Sequence, residues 1–188
     1  MNTPGSNKLF QAAFEMQHYF QKQNWPFCFI GGLAVLRWGE FRMTQDIDLC
    51  LQCGYGYESP YITSLLNHFK ARISNMEEFS RQNRVILLFT SNGIKVDITL
   101  SGLPYEEQMI ERASYFEYTS GCSLVTCSVE DLLIQKAFAD RLKDWLDIEG
   151  IIARNKNEID KKIVLDQLSL FSESKDTTEI IQKLDNMF

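Results

Sequence analysis

The apolar run Phe27-Cys28-Phe29-Ile30 stops at Gly31-Gly32, and after thirteen intervening residues a second run opens as Asp46-Ile47-Asp48-Leu49-Cys50-Leu51. No other stretch constrains the fold as much. The first run is short and aromatic-rich, which fits a buried strand ended by a glycine turn. The second carries carboxylates at i and i+2, and successive side chains on a strand alternate between faces. Asp46 and Asp48 therefore share a face, about 7 Å apart at their Cα atoms, close enough for their oxygens to converge on one divalent cation or a close pair. The glycine turn leaves backbone N–H groups to cradle a phosphate. The combination points to metal-dependent chemistry on a nucleotide.

The rest of the chain supplies a frame for these strands. Leu9 to Gln23 has helical periodicity, and Leu33 to Trp38 reads as a short helix just past the glycines. Ser59-Pro60 fits an N-cap and first-turn proline for a helix over Tyr61 to Ile73. Val85 to Thr90 and Ile94 to Leu100, split by Ser91-Asn92-Gly93, form the clearest hairpin. On its second strand Ile94, Val96, Ile98 and Leu100 take one face and Lys95, Asp97 and Thr99 the other. From Glu106 onward the pattern reads as helical, with Ser128-Val129-Glu130-Asp131 as a helix start, then helices over Asp144 to Arg154, Ile159 to Phe171 and Glu179 to Met187. The pattern reads as an α/β half over 1–105 followed by a helical half over 106–188, with no obvious linker between them.

Composition narrows the class. At 188 residues, with 45% apolar and 23% charged residues, the chain has the make-up of a globular protein with a real core. Its net charge of −6 argues against general nucleic-acid binding through the whole surface, though not against a local basic pocket. The start Met1-Asn2-Thr3-Pro4-Gly5-Ser6 has no apolar leader, and no run is long enough to span a bilayer, so a cytoplasmic location is expected. The cysteines at 28, 50, 53, 122 and 127 are then expected to be reduced. Cys50-x-x-Cys53 has no second half to complete a zinc site.

Asp97 is the acidic member of an otherwise apolar-faced strand. A buried lone carboxylate is costly unless paired or metal-bound. Three carboxylates at 46, 48 and 97 would repel one another, and Mg²⁺ relieves that repulsion while taking its remaining ligands from phosphate oxygens. Two such ions suit an in-line phosphoryl displacement. Arg42 is a candidate phosphate contact, because a guanidinium reads phosphate oxygens bidentately. A solvated loop arginine is the equal alternative. Trp38 and Trp145 read as core or interface aromatics, and His18 and His68 as helix-surface residues.

The run Gly31-Gly32-Leu33-Ala34 … Trp38-Gly39 … Arg42-Met43-Thr44-Gln45-Asp46-Ile47-Asp48-Leu49 resembles the nucleotidyltransferase superfamily, with the fold of DNA polymerase beta. Within it the run is most similar to the AbiEii-type branch, whose members include toxins of abortive-infection toxin–antitoxin systems. That branch also has a helical Lys followed by Arg…Lys-Asp…Asp, matched here by Lys136, Arg141, Lys143-Asp144 and Asp147. The resemblance implies that Gly31 and Gly32 hold a triphosphate and that Asp46 and Asp48 bind Mg²⁺ or Mn²⁺. It implies an α+β fold, a mixed sheet flanked by helices over 1–105 followed by a helical region over 106–188 packed on that core, and that Asp97 completes the metal site and acts as base on an incoming hydroxyl. Thr44 is either a phosphate contact or a turn residue. Lys136 either reaches the nucleotide or runs to solvent, and Arg141, Lys143, Asp144 and Asp147 read as surface helix pairs.

Three functions follow as expectations. The first is metal-dependent transfer of an NMP from an NTP to a hydroxyl of a protein, an RNA or a small molecule, in a protein of toxin–antitoxin type. The second is a silent nucleotidyltransferase-like module that acts through a cognate partner protein, docked on Leu165, Leu168, Phe171, Ile180, Leu184 and Phe188. Packing of those residues on the chain's own core is the alternative. The third is an antibiotic-modifying nucleotidyltransferase with an acidic acceptor site at Glu106, Glu107 and Glu111.

Overall fold

Asn7 starts the first helix with its own side chain, its Oδ1 accepting from the Leu9 N–H at 2.9 Å. Helix α1 (Lys8–Gln23) ends at Asn24, which adopts the left-handed conformation that asparagine tolerates. The computed structural model describes residues 7–173 and 176–188. The opening residues 1–6, whose sequence reads as lacking an apolar leader, lie outside them. The chain forms two units, Met1–Leu33 with Met43–Cys127, and Ala34–Arg42 with Ser128–Phe188.

The first unit is built on a seven-stranded mixed sheet in the order β3-β4-β5-β2-β1-β7-β6. β1 (Phe27–Ile30) lies antiparallel to β2 (Asp46–Gln52), which runs parallel to β5 (Lys95–Ser101). β4 (Val85–Phe89) and β5 form the expected hairpin. On β2 and β5 the sequence alternation becomes two faces: Ile47, Leu49, Val96 and Ile98 are fully buried, while Asp46, Asp48, Lys95 and Asp97 keep access to solvent. The Phe20 ring of α1 meets Phe27 edge to face at 5.0 Å, placing that helix on the apolar face. At the C-terminal ends of β2 and β5, Arg84 ties the strands together. Its guanidinium donates to Leu100 O (3.1 Å), Ser101 O (2.7 Å) and Gly54 O (3.3 Å), pairs with Glu58 and stacks over Tyr55.

Three local readings change. The helix expected over 61–73 is α3 (Glu58–His68), and Lys70–Ala71 form the short strand β3 instead, because pairing with Phe89 and Leu88 extends the chain there. Helix α4 (Met76–Asn83) has too few apolar residues to show a stripe. Helix α5 (Pro104–Arg112) is followed by two strands, β6 (Ser114–Thr119) and β7 (Cys122–Thr126), in a stretch expected to be helical. Their signal was present in Tyr115-Phe116-Glu117-Tyr118-Thr119 and Leu124-Val125-Thr126, separated by a turn at Gly121 with φ +75°. β7 then joins β1 in parallel. The sequence division at 105/106 falls before these strands.

In the second unit, α6 (Val129–Ala139), α7 (Leu142–Asn155), α8 (Lys161–Leu170) and α9 (Thr178–Asp185) follow one another. Ser128 caps α6 by accepting from the Asp131 N–H at 3.1 Å, as its sequence predicts. Leu168, Ile180 and Leu184 are buried within this unit, and Phe171 packs edge to face on Phe138 at 5.2 Å. These residues, candidates for a partner-docking face, are instead engaged internally. Among the described residues no helix is long and apolar enough to cross a membrane.

Candidate active site

β1 ends at Ile30, the register partner of Asp48, and the chain turns at Gly31 with φ +54° into α2 (Gly31–Trp38). The turn is tight against the neighbouring strand. A Cβ on Gly31 would lie 2.1 Å from Asp48 Oδ2, and one on Gly32 would lie 2.3 Å from Thr44 Oγ1. The missing side chains thus make room for Asp48 and Thr44. Thr44 Oγ1 in turn donates to Asp46 Oδ1 at 3.1 Å. The first turn of α2 opens directly beside these oxygens, and the first N–H groups of a helix have no partner within it.

The parallel register sets Asp48 opposite Asp97 and Asp46 opposite Lys95. Neighbouring strands lie about 4.8 Å apart, so Asp48 and Asp97 stand side by side on the open face with Asp46 one pleat along. Arg72, just past β3, pairs with Asp97. The sequence had not singled out Arg72, because its partner lies two strands away in the sheet and 25 residues on in the chain.

Among the described residues, no three His, Cys, Asp or Glu side chains converge closely enough to hold a metal ion. The aspartates therefore form no closed protein cage. The donors are nevertheless all hard carboxylate oxygens on one open face, and Mg²⁺ prefers one or two carboxylates with water and phosphate oxygens completing an octahedron. The residues fit such an ion as an incomplete set finished by substrate.

Two residues expected at the nucleotide lie in the second unit, each with a carboxylate partner there. Arg42 grips Asp147 with Nε on Oδ1 at 2.8 Å and Nη2 on Oδ2 at 3.1 Å. Lys136 Nζ lies 2.6 Å from Asp147 and 3.2 Å from Asp144. Arg141 Nε donates to Asp144 at 2.5 Å. The side chains of Lys136, Asp144 and Asp147 are only 7%, 1% and 7% exposed, so these acids are not the surface helix pairs their spacing suggested. Burial pushes the Asp144 carboxyl up, but Arg141 and Lys136 more than offset it and hold it below the usual carboxylate range.

Other candidates have structural partners. Glu106 Oε2 accepts from the Gly102 and Leu103 N–H groups at 2.7 and 3.0 Å, capping α5. His68 stacks on Tyr19 at 4.6 Å between ring centroids. Trp145 is buried and donates to Asp140 at 2.7 Å. Cys50 and Cys53 are both buried, and Cys53 Sγ donates to Ser101 O at 3.3 Å.

Solved structures share this fold. An antigenic nucleotidyltransferase-like protein from Paracoccidioides brasiliensis aligns with 94% of this chain and 93% of its own, at TM-score 0.56 and 15% identity. The lincosamide antibiotic adenylyltransferase LnuA aligns over 77% of this chain and 96% of its own, at TM-score 0.52 and 18% identity. ANT(2")-Ia aligns over 89% and 99%, at TM-score 0.57 and 14% identity. At such identities the likeness is one of fold. No curated protein matches the chain in sequence. The family model described as "Nucleotidyl transferase AbiEii toxin, Type IV TA system" matches residues 15–187, and the chain belongs to this AbiEii nucleotidyltransferase family.

Proposed function

We propose that this protein transfers an NMP from an NTP to an acceptor hydroxyl, whose oxygen bonds the α-phosphorus as the α–β anhydride breaks and pyrophosphate leaves, using Asp46, Asp48 and Asp97 with Mg²⁺ or Mn²⁺. The side-by-side placement of Asp48 and Asp97 beside the glycine turn into α2 carries this reading. Bound there, the cation would supply electrostatic stabilisation of the charge that develops on the transferred phosphoryl group. Asp46 and Asp48 hold it, with Thr44 orienting Asp46 through the Oγ1 hydrogen bond. Asp97 shares in holding it and accepts the proton of the attacking hydroxyl. The Gly31 and Gly32 amides, at the start of α2, bind the triphosphate.

Arg42 and Lys136 would have to share or release Asp147 to reach a phosphate, so the chemistry is assigned to the three aspartates and the glycine turn. The AbiEii family description supports a role as the toxin of a toxin–antitoxin pair, with the antitoxin as cognate partner. The acidic acceptor site of the antibiotic-modifying alternative loses Glu106 to capping, which favours a protein or RNA hydroxyl over a cationic drug.

The test is incubation with each α-³²P-labelled NTP, with Mg²⁺ or Mn²⁺, in the presence of total RNA or lysate. Label is expected in one acceptor class with one preferred NTP, and it disappears in Asp46→Asn/Asp48→Asn. Absence of label from every fraction, with no metal-dependent thermal shift from any NTP, overturns the proposal.

A further inference from the structure

The three aspartates do not face solvent without counter-charge. Asp97 is the register partner of Leu87 on one side and of Asp48 on the other. The Arg72 N–H donates to Leu87 O at 3.0 Å, which fixes the Arg72 backbone one strand beyond Leu87 in the same row. From there its side chain crosses β4 and its Nη1 meets Asp97 Oδ1. The arginine side chain is 23% exposed and the aspartate 41%, so the guanidinium lies partly sheltered along the sheet beside a carboxylate that keeps access to solvent. Lys95, opposite Asp46, adds a second cation to the same face.

We propose that Arg72 is a positioning residue that occupies the Asp97 carboxylate in the nucleotide-free protein and thereby weakens divalent-cation binding until substrate phosphates are present. The inference rests on the metal-site reading given above. Arg72 reaches the carboxylate from across β4 and places a fixed positive charge on it. Arg72 Nη1 takes Asp97 Oδ1, so a cation at this carboxylate shares that oxygen or binds Oδ2 beside a fixed positive charge that opposes it. A positive charge held on one carboxylate of a divalent-cation site, at partly exposed dielectric and physiological salt, changes affinity on the order of tenfold. Substrate phosphates bring negative charge that offsets the guanidinium, so the penalty falls on the free protein.

The test is direct Mn²⁺ binding by electron paramagnetic resonance on the full chain without nucleotide, for wild type, R72K, R72Q, D97N and R72Q/D97N. Circular dichroism verifies that each variant is folded. Loss of most bound Mn²⁺ in D46N/D48N confirms that the signal reports this site. R72Q is expected to bind Mn²⁺ about tenfold more tightly than wild type, R72K to stay within about twofold because the charge is kept, and R72Q to have a clearly smaller effect in the D97N background, where the guanidinium is no longer anchored beside the site. Mn²⁺ binding that depends on Asp46 and Asp48 but is unchanged or weakened in R72Q overturns the Arg72 assignment alone. Tightening of equal size in the D97N background also overturns it. No Asp46- and Asp48-dependent Mn²⁺ binding in any variant overturns the metal-site reading and this inference together.

Discussion

Gly31→Ala places a methyl group against a carboxylate, and its cost has two separable parts. The backbone at Gly31 has φ +54°, and an L-residue in that region costs about 1–2 kcal/mol. The new Cβ would also lie 2.1 Å from Asp48 Oδ2 and 2.8 Å from its Cγ, far inside contact distance. Relieving that overlap means displacing Asp48 or the turn, at about 1–3 kcal/mol by analogy with other overpacked sites. Gly93→Ala is the matched control, since Gly93 has φ +83° and nothing within 4 Å of its added Cβ. Urea unfolding should therefore show Gly31→Ala less stable than Gly93→Ala by about 2 kcal/mol, or roughly 4–8 °C in Tm for a chain of this size. Removing the obstacle tests the cause. In an Asp48→Ala background the oxygen and Cγ are gone and only the 2.9 Å approach to the Asp48 Cβ remains, so the Gly31→Ala penalty should shrink toward that of Gly93→Ala. Equal losses for Gly31→Ala and Gly93→Ala, or a penalty untouched by Asp48→Ala, would refute the steric reasoning.

The remaining predictions concern the buried charges and thiols. Lys136→Met should cost about 3–5 kcal/mol, because it leaves Asp144 and Asp147 buried with one arginine each; chemical denaturation measures it, and a loss under 1 kcal/mol would count against a buried network. The Asp144 carboxyl is held below its unfolded value, so the unfolded chain takes up the proton first on acidification. Its stabilisation is present above about pH 4 and fades as pH falls through the folded value, and Asp144→Asn should flatten that acid limb in denaturation followed against pH. All five cysteines are buried, burial raises the Cys50 and Cys122 thiols, and Cys53 is pushed up to about 11 by burial, partly offset by Arg84. Ellman's reagent at pH 8 should therefore react slowly with the native protein and rapidly once denaturant is added.

The alternation in Asp46-Ile47-Asp48 and Lys95-Val96-Asp97 determined by itself that these carboxylates would share an open face, since on a paired strand period 2 leaves no other arrangement. The hairpin and the helix capped by Ser128 were legible for the same reason: their signals are local, in turn residues and caps. Strands β6 and β7 carried β-branched and aromatic residues, but short runs after a helix do not say which strand they will join. What only the tertiary structure decided was which residues meet across large gaps in the chain. The parallel register of β2 with β5 set Asp48 beside Asp97, and β3 at the sheet edge brought Arg72 to the same carboxylate. The second unit folded Asp147 against Arg42, 105 residues away in sequence, turning residues that read as surface charges into a buried network. Periodicity acts over a few residues and can be read from the chain. Register and burial depend on packing between distant segments, which no local pattern encodes.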